Sequence, residues 1–179
     1  MMSIDPGRPT PDEYDPFFAG YIALVTDGDI GEILERQIAD TAALLASYTP
    51  PEARWRPAPG EWSALEIVGH LVDAERVLAY RALRIARADP RPWTPADLGE
   101  YVTTADFQGR ALGDVTAEFV SVRAATAALL RGLDQAAWER RAPEGWSCRS
   151  ARAMAYIIAG HERHHAIDLR QQREMARDE

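Results

Sequence analysis

Apolar residues recur at alternating steps of three and four in four stretches of the chain, the period of a helix that buries one face. The first stretch opens at Asp27-Gly28-Asp29, carries Ile30, Leu34, Ile38, Thr41, Leu45 and Tyr48, and is stopped by Pro50-Pro51. The second has the clearest start signal in the chain. Ser63 with Glu66 three residues later forms a capping box, and Trp62 is placed to staple onto Ile67. Its helix is predicted from Ser63 to Ala88, with Val68, Leu71, Val72, Leu78, Ala79 and Ala82 on the apolar arc. The third, Asp114 to Leu133, carries Val115, Phe119, Val122, Thr126, Leu129 and Leu133. The fourth is predicted from a cap at Ser147 to about Glu174, with Ala151, Met154, Ile157, Ile158 and Leu169 buried. No segment alternates with the period of a strand, so the pattern predicts an all-α four-helix bundle.

Between the second and third helices, Asp89 to Gly113 holds Pro90, Pro92 and Pro95 and reads as a long crossover with a short helical turn at Pro95 to Val102. Such a length lets the third helix sit beside a non-sequential neighbour. A second loop carries Trp138, Pro143 and Gly145. At the start, Pro6, Pro9 and Pro11 predict a disordered tail over residues 1–12, leaving 13–179 as one domain. Tyr14, Phe17, Phe18 and Tyr21 mark residues 14–25 as an arm that packs on the domain or on a second subunit, covering the domain's own core being the simpler reading.

Two features break the apolar stripes. Glu75 falls in the middle of the second helix's arc, where an unpaired carboxylate would cost several kcal/mol, and Arg123 on the third helix is the expected partner. The histidines are the other. The chain has four, and three lie in Gly160-His161-Glu162-Arg163-His164-His165. His161 and His165 point into the arc of the last helix about 40° apart, His164 stands at its edge, and His70 borders the arc of the second helix. Two imidazoles at i and i+4 can hold one metal ion from a single helix, and His70 is the histidine left to complete the set. Three neutral imidazoles leave a coordination position open, as in a catalytic zinc site; Ni²⁺ or Fe²⁺ would accept the same donors. Asp73, Asp168 and Glu162 lie within one turn of a ligand and are candidates to orient the rings. Hydrogen bonds among the histidines and Glu75 would explain the same placement without a metal.

Charge narrows the partners. With 28 acidic against 20 basic residues the formal net charge is −8, which speaks against a nucleic-acid or anionic-membrane partner. No apolar run approaches the roughly 20 residues that span a bilayer, and no signal peptide is visible. Cys148 is the single cysteine, so no internal disulfide can form, and a reducing, cytoplasmic setting is expected. Placed in the first turn of the fourth helix, its thiol would have its pKa lowered by the helix dipole.

Trp62-Ser63 through Gly69-His70-Leu71-Val72-Asp73-Ala74-Glu75-Arg76, together with Gly160-His161-Glu162-Arg163-His164-His165, resembles the DinB-like superfamily. Residues 14–25 and Ala105-Asp106-Phe107 are similar to one branch of it, so the resemblance spans nearly the whole chain. It implies a four-helix bundle, commonly a homodimer, with a divalent metal, usually zinc or nickel, on His70, His161 and His165. Characterised relatives include S-transferases that use a low-molecular-weight thiol, and a maleylpyruvate isomerase. Asp168 stands where relatives of this branch often carry an amide.

Two functions follow. In the first, a three-histidine divalent metal with an open position serves a thiol S-transferase or a hydrolase acting on a small molecule, with Glu66, Asp73 and Asp168 as candidate bases or orienting groups. In the second, the bundle binds a metal or small ligand without turnover. The tryptophans read as core and helix staples rather than a substrate platform, with Trp93 and Trp138, assigned to loops, as the candidate exceptions.

Overall fold

The structure is a computed structural model, and it describes residues 6–92 and 96–178. Its α-helices are α1 (Ala19–Ala23), α2 (Ile30–Ala46), α3 (Pro50–Arg54), α4 (Ala64–Ala86), α5 (Leu98–Thr104), α6 (Leu112–Arg131), α7 (Gln135–Glu139) and α8 (Ala151–Asp178). Among the described residues there is no strand beyond two isolated bridges, so the protein is all-α. The long helices α2, α4, α6 and α8 form the bundle: α4 packs on α6 and α8, and α2 packs on the same two.

Polar residues divide the interior into two apolar clusters. One holds Ile30, Ile33 and Leu34 of α2, Leu78 to Ala86 of α4, Leu130 of α6 and Ala151 to Ala159 of α8. The other holds Leu45, Leu65 to Val72, Val115, Phe119 and Leu169. Between them each long helix contributes buried polar groups: Gln37 and Thr41, Glu75, Arg123, and His161 with Glu162. The order in which the helices meet the clusters gives their directions. α2 and α8 run one way, α4 and α6 the other. Two consecutive bundle helices that run the same way need a return path, which is the task of the crossover between α4 and α6.

Local signals set the helix ends. Asp29 accepts hydrogen bonds from the Gly31 and Glu32 amides to cap α2, and Ser63 and Glu66 make the reciprocal capping box of α4. Ser147 does not cap α8. The chain stays extended through Cys148, and Ser150 accepts from the Ala153 amide at 3.0 Å. Cys148 therefore lies before the helix, in an isolated bridge to Tyr14, and burial pushes its thiol up to about 12 instead of lowering it. On α6 the buried seam runs through Arg123, Ala127 and Leu130, while Val122 and Leu129 are half-buried. Trp138 is not a loop residue; it is buried in α7. Trp93 lies outside the described residues.

The N-terminal segment is tied down by charge. Of residues 1–12, expected as a disordered tail, 1–5 lie outside the described residues, whereas Pro6 and Pro9 are buried; Glu13, the first residue after them, is 1% exposed. The Glu13 carboxylate receives Arg152 Nε at 2.7 Å and the Ser150 hydroxyl at 2.5 Å. Burial would raise its pKa, but those donors and Thr10 hold it down at about 2. Arg8 donates to the Ile22 and Val25 carbonyls, and α1 lies along α8 with Ile22 and Val25 buried. Phe17 stays exposed.

Candidate metal centre

His70 projects from the second turn of α4, and His161 and His165 from successive turns of α8. One potential ligand atom from each ring lies within 4.8 Å of the others, so the fold brings together the three histidines named from the sequence. His70 Nε2 and His161 Nε2 are 3.2 Å apart. Two nitrogens bound tetrahedrally at about 2.0–2.1 Å from Zn²⁺ would be about 3.3 Å apart, so this pair has the spacing a shared ion requires. His165 Nδ1 faces Asp168 Oδ2 at 3.1 Å, which leaves its Nε2 available to the other two rings. The donor set fits a divalent transition metal.

The surroundings keep the rings neutral. His161 titrates well below its ordinary value, first because it is buried and then because protonated neighbours, His165, His70 and His164, would repel its charge. Burial likewise lowers His70, with the Leu98 backbone and Asp73 pulling the other way, and it brings His165 to about 3. Neutral imidazoles are the form that ligates a metal. The buried His70 Nδ1 has no hydrogen-bond partner of good geometry among the described residues.

Close packing holds the ring planes. Trp62 lies against His70, ring centres 4.9 Å apart, and Tyr21 meets His161 and His164 edge-on at 5.4 Å each. Both glycines that precede a ligand allow these approaches. A Cβ on Gly69 would lie 2.5 Å from the Phe107 ring, and one on Gly160 would collide with the Tyr21 backbone. The glycines therefore admit the crossover and α1, not a closer contact between bundle helices.

The carboxylates named as candidates separate. Asp168 is at the centre, hydrogen-bonded to His165 and 3.6 Å from His164. Asp73 is half-buried, paired with Arg76 at 3.3 Å and felt at His70 only through its charge. Glu66 is committed elsewhere. It accepts from the Ser63 amide and hydroxyl at 2.9 Å and from Arg56 at 2.6 Å, and these bonds outweigh burial and lower its pKa. Glu162 turns away from the rings to accept the Thr41 hydroxyl, and burial raises its pKa. Glu75 and Arg123 meet as expected, with Arg123 Nε at 2.8 Å from both carboxylate oxygens.

A cleft of about 520 Å³ opens beside His165 and Asp168. Pro57, Gly60, Glu61 and Trp62 of the linker before α4 form one wall, with Ile67 beneath, and Gln171, Gln172 and Met175 of α8 form the other. The sequence reading missed this cleft and the Tyr21 contact. Gln172 carried a usable signal: it stands two helical turns beyond His165, on the same stripe.

Comparisons with known proteins bear on the family and the fold. A model described as the DinB superfamily matches residues 33–169, a span that includes all three histidines. Among solved structures, YfiT from Bacillus subtilis aligns with a TM-score of 0.71 over 83% of this chain and 87% of that one, at 16% identity. It is described as a probable metal-dependent hydrolase with an unusual four-helix bundle topology, and the likeness shows a common fold. No curated protein matches the sequence.

Proposed function

The chain belongs to the DinB superfamily, and from that premise we propose that it is a metal-dependent hydrolase of small molecules, its metal held by His70, His161 and His165. The observation that carries the reading is the convergence of three imidazoles, two of them 3.2 Å apart, one of which, His165, lines an open cleft. A divalent ion there would supply a Lewis acid that acidifies whatever occupies its open coordination position. Asp168 accepts from His165 Nδ1 and so fixes the tautomer that presents Nε2. Being 40% exposed on its side chain, Asp168 is also the carboxylate able to take a proton from a group entering the cleft, a role Glu66 and Asp73 are too occupied or too distant to fill. Trp62 and Tyr21 shield the rings from water on two sides. The description of YfiT as a hydrolase supports the same reaction class.

Thiol S-transfer is the second reading, supported by the cleft that His165 lines, which would admit a low-molecular-weight thiol as well as water. The test is direct. Protein reloaded with Zn²⁺ or Ni²⁺ should hold about one ion per chain by elemental analysis, and His161→Ala much less. Loaded protein should hydrolyse model esters or amides faster than the variant. Thiol conjugation without hydrolysis would move the assignment to the transferase. Stoichiometric metal with neither activity would make the protein a metal-binding bundle, and metal far below one per chain would remove the reading. The homodimer implied by the family resemblance is proposed as the assembly, to be checked by light scattering.

A further inference from the structure

The charged groups that line the cleft are all carboxylates. Glu61 and Asp168 bring two carboxylates, and none of the described lining residues is Arg or Lys. Arg56, which borders the same linker, is taken up by the Glu66 carboxylate and the Glu61 carbonyl, both at 2.6 Å. Arg173, next to Gln172, stacks over the Tyr48 ring, and Arg170 faces a separate hollow on the other side of α8. Gln172 adds an independent observation. It is 5% exposed, its Nε2 donates to the Trp62 carbonyl at 2.7 Å, and its Oε1 is buried with no hydrogen-bond partner among the described residues. That bond fixes which end of the amide is the acceptor, and a buried acceptor left unmatched is costly unless something arrives to donate to it.

The apolar part of the lining is Trp62, Ile67 and Met175. An aromatic face beside carboxylates and an unmatched carbonyl suits a cation on a short apolar stem, because the ring quadrupole and the acceptors attract the same charge. Resting on the hydrolase reading for the neighbouring metal, we propose that the cleft selects substrates that carry a primary ammonium group on an apolar stem and rejects carboxylates. Glu61 and Gln172 receive the ammonium N–H groups, and Trp62 and Met175 cover the stem. Anionic thiols and carboxylate substrates are disfavoured in the same pocket.

Binding of phenethylammonium, phenylacetate and the neutral phenethyl alcohol to the full chain tests this, followed by NMR shift perturbation in metal-free and in Zn²⁺-loaded protein. In metal-free protein the ammonium should bind at least about tenfold more tightly than the carboxylate, the factor that corresponds to one charge-assisted hydrogen bond. Glu61→Lys, at an exposed position, should abolish or invert that preference, and Gln172→Leu should weaken the ammonium with little effect on the alcohol. Equal or tighter binding of phenylacetate to metal-free protein, or an unchanged preference in Glu61→Lys, overturns the proposal. The metal-free arm does not depend on the ion. Failure of the metal reading would appear in the loading stoichiometry, and failure of this proposal in the preference.

Discussion

Replacing Arg123 by Met would cut the centre out of the buried polar layer. Arg123 is 1% exposed and holds both oxygens of Glu75, itself 4% exposed on its side chain, at 2.8 Å. It also donates from Nη1 to Gln37 Oε1 at 2.8 Å, and Gln37 Nε2 donates to the Ala159 carbonyl at 2.8 Å, two residues before His161. Met would fill much of the volume but leave Glu75 an unpaired buried charge, at a cost of about 3–5 kcal/mol. Loss of the donor to Gln37 adds about 1 kcal/mol. At about 2–4 °C per kcal/mol for a domain of this size, Tm should fall by roughly 8–24 °C. Removing both charges, as Glu75→Leu with Arg123→Met, should be far milder, because a buried pair replaced by apolar residues is often neutral. Thermal and urea unfolding followed by circular dichroism, arranged as a double-mutant cycle, separates the two terms. If Arg123→Met is no less stable than the double variant, the carboxylate is not desolvated as described. Zn²⁺ affinity supplies a second readout, since the network ends on the turn of α8 that carries His161.

Other consequences are open to measurement. In metal-free protein His165 titrates near 3 instead of 6.5, and His161 and His70 are also lowered, so the unfolded chain binds more protons between those limits. The sign follows: stability is full above about pH 6.5 and falls as pH drops towards 3, by up to about 1.4 kcal/mol per pH unit for each histidine. Urea midpoints at pH 7 and pH 5 should show this fall, and a His165→Ala variant with the same slope as the wild type would contradict it. Gly160→Ala should destabilise by about 1–3 kcal/mol, because a Cβ there meets the Tyr21 backbone, which has no rotamer to change. Gly20→Ala, with open space around it, should be neutral or slightly stabilising, and equal midpoints for the two variants would refute the packing account. Cys148, buried and with its thiol pushed up to about 12, should resist alkylation at pH 8 until the protein unfolds; fast labelling of the native protein would show the segment before α8 to be open.

The parts of this site that could be read in one dimension are those carried by a single helix. His161 and His165 share a face because they are four apart, Ser63 and Glu66 cap α4 because they are three apart, and Glu75 demanded a partner because it interrupts an apolar arc. Arg123 was identifiable as that partner because buried charge must be matched. The start of α8 was harder. Ser147 and Ser150 both offer a capping hydroxyl, and the choice fell to Glu13, a residue 137 positions away that engages Ser150 and leaves Cys148 in an extended segment.

Periodicity by itself determined that this chain is four amphipathic helices with two histidines facing inward and a third at the border of its helix's apolar arc, since which face a helix buries depends only on the spacing of its own residues. The tertiary structure alone decided what those histidines meet. It set His70 Nε2 3.2 Å from His161 Nε2, laid Trp62 and Tyr21 against the rings, turned Glu162 away to Thr41, and opened the cleft between the linker and the end of α8. Each of these contacts joins residues from different elements, and their separations are set by how those elements pack, which no local spacing encodes.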